Sequence, residues 1–288
     1  MNQKDKPNLL ISFSGGRTSA FMLKWIYDNW QNQYNLLTVF ANTGKEEPET
    51  LAFVKDCADR WSIDIVWVEG KHRDENGEPF SKMGWSVKAK VVNYHTCSRN
   101  GEPFEEMLSV LGIPSTNAPF CSDQLKRKVI EDYCRQIGFK NYYKAIGIRA
   151  DEVDRVNTKF RENKILYPLV SNQPMTKNMI MDWWAQNDFN LTVHPDLGNC
   201  NACWKKDIKR LMRIAKNQPK VYDWWQDMTD KYGYLNPRKT ELEPPFNFYR
   251  GNLSPKDIFH FQGLDSKQLS LLLETEQLDG CSESCEAF

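Results

Sequence analysis

Asn8-Leu9-Leu10-Ile11-Ser12-Phe13-Ser14-Gly15-Gly16-Arg17-Thr18-Ser19 is the stretch that decides the fold. Its first six residues form a short apolar run of β type that stops abruptly at Ser-Gly-Gly. From Thr18 to Trp30, apolar residues recur at Phe21, Met22, Trp25 and Ile26, a helical spacing. The local order is strand, tight glycine turn, helix. Such a turn aims backbone N–H groups and the positive end of the helix at one point, where an anion is held. The Ser and Thr hydroxyls add donors, and Arg17 adds a charge suited to a phosphate. Two adjacent glycines taken alone could serve backbone geometry only. Neither Gly-x-x-x-x-Gly-Lys-Ser/Thr nor Gly-x-Gly-x-x-Gly occurs at this turn, so Walker and dinucleotide loops are excluded.

Outward from the turn, Leu36 to Phe40 reads as a second buried strand, with Ala41-Asn42-Thr43-Gly44 as its exit loop. Pro48 sits where a helix can begin, and Leu51, Phe53, Val54 and Cys57 continue a helical face. Ile63 to Val68 makes a third strand. The alternation predicts an α/β fold, a doubly wound, mainly parallel sheet with right-handed crossovers. Lys71 to Gly101 is polar and glycine-containing and reads as a long loop or lid. Helices are expected over Phe104 to Leu111, Asp123 to Ile137 and Thr176 to Asn187, with a strand over Tyr142 to Ile148. After His194 the character changes. Cys200-Asn201-Ala202-Cys203 opens a basic helix, Lys205 to Lys216, and the remainder is rich in Trp, Tyr, Pro and Lys. The expected organisation is a nucleotide-binding domain over 1–195 and a cysteine-containing, mostly helical extension over 196–288.

Lys plus Arg number 38 and Asp plus Glu 38, so the net charge is zero. That balance gives no global electrostatic attraction to nucleic acid or an anionic membrane. No apolar run reaches spanning length, and the N-terminus lacks an export signal, so a cytoplasmic location is expected. In a reducing compartment the eight cysteines suit metal binding or catalysis better than a disulfide framework. Cys200-x-x-Cys203 is the strongest of these signals, because its spacing lets two thiolates converge on one metal or cluster. Cys57 and Cys134, on apolar helical faces, read as core residues. The run Lys126-Arg127-Lys128 reads by default as a solvated helix face, with an anion-binding role second.

Phe13 to Ser19 resembles the pyrophosphate loop of the phosphoadenosine phosphosulfate (PAPS) reductase family, which belongs with the N-type ATP pyrophosphatases. Three further segments resemble the family in the same order: Phe40-Ala41-Asn42-Thr43-Gly44-Lys45-Glu46-Glu47-Pro48-Glu49-Thr50, Ile146-Gly147-Ile148-Arg149-Ala150-Asp151-Glu152, and Tyr167-Pro168-Leu169 before a Trp-containing helix. The resemblance implies an adenine nucleotide, ATP or PAPS-type, lying across the carboxyl ends of the strands. Ser14, Gly15, Gly16, Arg17, Thr18 and Ser19 would hold phosphate, Asn42, Thr43 and Gly44 would approach the adenosine, and Arg149 and Arg155 would meet the anionic end. Thr18 stands where many relatives carry Asp, which bears on how Mg would be held at the α-phosphate.

Gly198-Asn199-Cys200-x-x-Cys203-x-Lys205 also resembles a segment of many such proteins. It implies a 4Fe-4S cluster on Cys121, Cys200, Cys203 and a tail cysteine, Cys281 or Cys285, with zinc as the rival occupant. Cys285 is also the candidate for a mobile catalytic thiol, although Gly280-Cys281-Ser282-Glu283-Ser284-Cys285 does not match the Glu-Cys-Gly-Leu-His setting of assimilatory reductases. The expected activity is cleavage of ATP between its α- and β-phosphates with adenylyl transfer, or reduction of a sulfonucleotide, with a sulfur donor or thiol reductant as partner. Two other readings stand beside it. One is a nucleic-acid-associated module for tRNA or DNA modification, motivated by the basic helix and Trp224-Trp225. The other is a metal or redox regulatory protein with a degenerate nucleotide site.

Overall fold

The computed structural model describes residues 6–80, 86–116, 118–235, 243–264, 267, 268, 270 and 271. Its centre is a six-stranded sheet built from β1 (Asn8–Ser12), β2 (Asn35–Asn42), β3 (Ile65–Lys71), β4 (Lys88–Val92), β5 (Tyr142–Ala145) and β6 (Ile165–Leu166), in the order β4-β3-β2-β1-β5-β6. All neighbours are parallel except β3 and β4. Strand order reverses at β1, whose neighbours are β2 on one side and β5 on the other. In an open α/β sheet, that reversal leaves a crevice outside the carboxyl ends of the two diverging strands.

Alternation along the strands sends side chains to both faces. Leu9, Ile11 and Phe13 join Phe40 and Trp67 in a core with α1 (Arg17–Trp30), α2 (Pro48–Trp61), α5 (Pro168–Ser171) and α6 (Lys177–Ala185), while Leu10, Val39, Ala41 and Val68 pack on Val129, Ile130 and Cys134 of α4 (Lys128–Gln136). Both faces of the sheet are covered, as the doubly wound reading requires. Cys57 and Cys134 are core residues, and burial pushes the Cys134 thiol up to about 11.

The stretch expected to be a loop or lid contains the edge strand β4, which pairs antiparallel with β3 from Trp67↔Val92 to Lys71↔Lys88. Its sequence, Lys-Ala-Lys-Val-Val, carries the charged, exposed positions that protect a sheet edge, and these masked its β character. The strand over Tyr142 to Ile148 is shorter than expected, ending at Ala145. The Asp123–Arg127 stretch is a π-helical turn leading into α4.

A third core joins α3 (Glu102–Leu111) to α7 (Ile208–Asn217), α8 (Val221–Tyr232) and α9 (Pro255–His260) through Phe104, Leu108, Leu211, Tyr222, Trp225 and Ile258. Trp225 is fully buried, and Trp224 packs edge-on against Phe104 and Trp225 with Lys45 Nζ 4.4 Å from its ring centre. Of the aromatic pair that suggested a base-stacking platform, Trp225 is committed to the core and Trp224 is half-buried. No helix among the described residues is long and apolar enough to cross a membrane.

Candidate functional site

The glycine turn sits between β1 and α1, at the strand-order reversal. Gly15 has φ +76° and is closely wrapped: a Cβ there would lie 2.9 Å from Thr50 Cγ2, 3.1 Å from Val54 Cγ2 and 3.2 Å from Phe40 Cε2. Only glycine meets both the backbone angle and the space. Gly16 differs, with an extended backbone and open space around its Cα apart from Ser14 Oγ at 3.6 Å. Gly16 is the N-cap of α1 and offers no side-chain cap, and the first turn of the helix carries no acidic residue. The helix therefore presents its positive end uncompensated by its own side chains. Ser14 and Ser19 share a hydrogen bond of 2.8 Å across the turn, and Ser19 also donates to the Gly16 carbonyl at 3.0 Å.

Two contacts from a distant segment brace the turn. Trp184 Nε1 donates to the Arg17 carbonyl at 3.0 Å. Arg17 itself donates through Nε to Asn190 Oδ1 at 2.7 Å and through its terminal nitrogen to the Leu191 carbonyl. Its guanidinium thus ties the loop to 190–191 while still bordering the cleft.

That cleft, of about 230 Å³, is lined by Ser14 to Ser19 together with Arg149, Lys177, Cys203, Lys205, Lys206 and Arg210. Arg149 follows β5, is only 5% exposed, and holds Asp151 at 2.9 Å and Glu152 at 3.3 Å. Asp151 also accepts the backbone N–H of Lys177, which delivers the start of α6 to the same place. Arg155 is drawn onto Glu152 and does not reach the cleft lining.

Asn42, Thr43 and Gly44 also lie outside the cleft lining. Asn42 is buried and donates to Glu69 at 2.6 Å and to the Ser98 carbonyl at 2.8 Å, while its own Oδ1 receives the Gly44 N–H. Thr43 donates its N–H and hydroxyl to Glu46 at 2.9 Å and 2.8 Å and lies 3.5 Å from Cys200 Sγ. Lys126 stands 3.8 Å from Glu46 and is buried, so the basic run after Cys121 is not a solvated face. Arg127 and Lys128 are likewise paired, with Asp123 and Glu131.

The Cys-x-x-Cys turn is docked on this loop. Cys200 forms an antiparallel bridge with Glu46, the Asn201 N–H meets the Lys45 carbonyl, and Asn201 Oδ1 accepts from Trp225 Nε1 at 2.9 Å. Cys203 and Lys206 continue the turn through bonds from Cys203 N to the Cys200 carbonyl and from Lys206 N to the Cys203 carbonyl. Lys206 is buried, donates 2.7 Å to the Gly198 carbonyl, and is brought down to about 8 by burial first and Arg210 second.

Cys121, Cys200 and Cys203 line a second, smaller cavity, and Cys203 borders both cavities. This second space measures about 20 Å³, room for one water. Burial, then Glu46, pushes the Cys200 thiol up to about 12. Among the described residues no group of three His, Cys, Asp or Glu side chains is disposed to hold a metal ion. The described residues therefore do not by themselves form the four-thiolate site expected for an iron–sulfur cluster or zinc. Cys281 and Cys285 lie outside the described residues.

Comparison with known proteins matches this architecture. Residues 8–113 match the phosphoadenosine phosphosulfate reductase domain. Over 97% of its length the chain is 30% identical to the uncharacterized nin region protein ORF290 of Escherichia phage lambda, covering 94% of that protein. The chain belongs to the phosphoadenosine phosphosulfate reductase family. It is also 22% identical to the uncharacterized protein MJ0973 of Methanocaldococcus jannaschii over 77% of the chain, and 26% identical to an uncharacterized 37.8 kDa protein in the gpa 5' region of Escherichia phage 186 over 50% of it. In each case 48% of the relative is covered. The family match ends before Arg149, Lys177 and the Cys200–Arg210 segment, so the second half of the cleft lies beyond it. Of those residues, Lys177 carried no signal in the sequence beyond its place at a helix start.

Proposed function

We propose that this family member is an enzyme that binds an adenine nucleotide, ATP or a sulfonucleotide, with its phosphates on Ser14–Ser19, and acts at the anionic end in sulfur transfer. The observation that carries the reading is the meeting, in one cleft, of the phosphate turn, a buried arginine and a thiol: Arg149 and Cys203 line the same space as the loop. Backbone N–H groups and cations fixed before the ligand arrives can stabilise charge that develops as a phosphoryl or sulfonyl group leaves.

For a sulfonucleotide, a cysteine thiolate attacks the sulfonyl sulfur, the S–O bond to the nucleotide phosphate breaks, and the nucleotide leaves with the electron pair. A second thiol then attacks the S-sulfonated cysteine, releasing sulfite and leaving a disulfide that an external dithiol reduces. Cys203 supplies a cleft-side thiol for the first step, and Cys285 of the tail is the other candidate. For ATP, the loop holds the leaving pyrophosphate while an acceptor attacks the α-phosphate. Among the described residues no Asp or Glu lines the cleft, so these residues leave Mg to be carried by the nucleotide's own phosphates.

The test is product analysis with ATP and PAPS side by side, in the presence of a dithiol. Pyrophosphate and AMP from ATP, or sulfite from PAPS, supports the proposal, and loss of sulfite in Cys203→Ser or Cys285→Ser identifies the attacking thiol. Turnover of neither substrate, together with no binding of either, overturns it.

A further inference from the structure

Cys121, Cys200 and Cys203 are free thiols, and among the described residues they do not complete a metal site. Their placement gives the Cys-x-x-Cys turn a different use. Cys203 borders both the cleft and the inner cavity, whereas Cys200 lines the inner cavity alone. The turn is closed by the bond from the Cys203 N–H to the Cys200 carbonyl at 3.2 Å. A four-residue turn keeps its end Cα atoms within about 7 Å, and a disulfide bridges Cα atoms about 4.4–6.8 Å apart. Cys121 also lines the inner cavity but comes from a separate segment, ahead of the π-helical turn.

The surroundings of Cys200 suit a thiol that reacts. Thr43 Oγ1 lies 3.5 Å from Cys200 Sγ and donates to Glu46 at 2.8 Å, so its lone pairs can accept the thiol proton. Glu46 is buried and stands 3.8 Å from Lys126 Nζ. Thiol, hydroxyl and carboxylate in this order form a path by which a proton leaves the sulfur. Three buried ammonium groups, those of Lys45, Lys126 and Lys206, act electrostatically on Cys200. Cations beside a thiol favour the anionic sulfur that attacks a partner, and burial opposes them. Three lysines buried around one turn exceed what the packing of a core calls for.

We infer that Cys200 and Cys203 are a dithiol–disulfide couple, in which Cys203 attacks the substrate from the cleft and Cys200 resolves the product from within. The inference rests on the sulfonucleotide branch of the proposed function and names the second thiol of that reaction. Cys203, its proton released into the cleft, bonds through sulfur to the sulfonyl sulfur, and the S–O bond breaks with its electron pair on the nucleotide phosphate. Cys200, its proton passed through Thr43 to Glu46, then bonds to the Cys203 sulfur. The bond between Cys203 and the sulfonate breaks, and its pair leaves with sulfite. The sulfonyl sulfur gains two electrons, the two cysteines lose two, and an external dithiol restores them by exchange.

The test is a single turnover of PAPS by the whole protein, purified anaerobically, reduced and then freed of external dithiol. Sulfite and the state of each cysteine, by peptide mass spectrometry, are read together. The inference expects sulfite stoichiometric with protein and a Cys200–Cys203 disulfide in the parent. In Cys200→Ala, sulfite released without dithiol should fall at least tenfold while Cys203 retains the sulfonate, and Cys203→Ala should release none. Three results overturn the couple: a sulfonate held on Cys203 or Cys285 of the parent until dithiol is added, a disulfide to Cys121 instead, or stoichiometric iron or zinc in the purified protein that Cys200→Ala loses. Equilibration of the parent with a graded series of reduced and oxidised glutathione decides the pairing apart from turnover. A Cys200–Cys203 disulfide formed there, in a protein that does not bind PAPS, sustains the pairing and overturns the sulfonucleotide reading. Absence of that disulfide across the series overturns the couple itself.

Discussion

Replacing Gly15 and Gly16 one at a time by alanine separates the two tasks of the phosphate turn. At Gly15 the added methyl must enter a left-handed backbone conformation and a space already filled by Thr50, Val54 and Phe40, at 2.9, 3.1 and 3.2 Å. The backbone term costs about 1–2 kcal/mol for an L-residue. Crowding the core adds roughly 1–2 kcal/mol more, because Thr50 and Val54 sit on α2 and cannot move without disturbing its packing. Gly15→Ala should therefore lose about 2–4 kcal/mol of stability, a fall in Tm on the order of 5–10 °C for a chain of this size. At Gly16 the backbone is already extended and a Cβ meets only Ser14 Oγ at 3.6 Å, so Gly16→Ala should unfold within about 0.5 kcal/mol of the parent. Its methyl instead stands where a phosphate approaches the main chain, and nucleotide affinity should fall tenfold or more. Urea unfolding and nucleotide calorimetry on both variants make the comparison. Equal destabilisation by both, or a Gly16→Ala protein that binds as the parent does, would refute the division of labour.

Other consequences concern buried titratable groups. Burial first, and Lys128 second, bring His72 down to about 4, against an opposing contribution from Gln124. The unfolded chain takes up this proton near pH 6.5 while the native state resists it. Stability should thus fall on acidification from about pH 6.5 to about pH 4, by at most about 3 kcal/mol. His72→Leu should flatten that limb in urea unfolding at stepped pH, and an unchanged limb counts against the assignment. Burial brings Lys206 down to about 8, so an anion that favours its charged form must bring a proton with it above that pH. Nucleotide affinity should decline by up to about tenfold per pH unit above pH 8. Lys206→Arg, charged throughout, should remove the decline, and a parent protein with pH-independent affinity from about pH 7 to 10 would contradict the coupling. Trp225→Phe deletes the indole donor that holds Asn201 at 2.9 Å, so labelling of Cys200 by a thiol reagent should speed up in that variant. Unchanged labelling would show that other contacts hold the turn.

The β-α-β-α-β core was legible because its signals are local: apolar runs, a glycine pair and helical spacing fall within a few residues of one another. The edge strand β4 was not, because exposure on an edge selects lysines that read as loop. In the site, Ser14–Ser19 and Arg149 were readable from motifs and meet in one cleft. Asn42 looked equally eligible, but its side chain is spent on Glu69 and Ser98, partners 27 and 56 residues away that no local pattern announces. Lys126 read as a solvated cation because burial opposite Glu46 depends on how α3, the π-helical turn and the Cys200 segment come together. The three cysteines do share a cavity, as the resemblance implied, yet its volume is a property of packing that cysteine spacing does not encode.

The most direct measurement of the central claim is equilibrium binding of AMP and ADP to the parent protein and to Gly16→Asp, with thermal unfolding as a control. A carboxylate at position 16 sets a fixed negative charge in the phosphate cradle without entering the core. Micromolar-class binding to the parent is expected, with a loss of at least a hundredfold in the variant and little change in Tm. Equal affinity in the two proteins would show that the nucleotide does not bind at Ser14–Ser19.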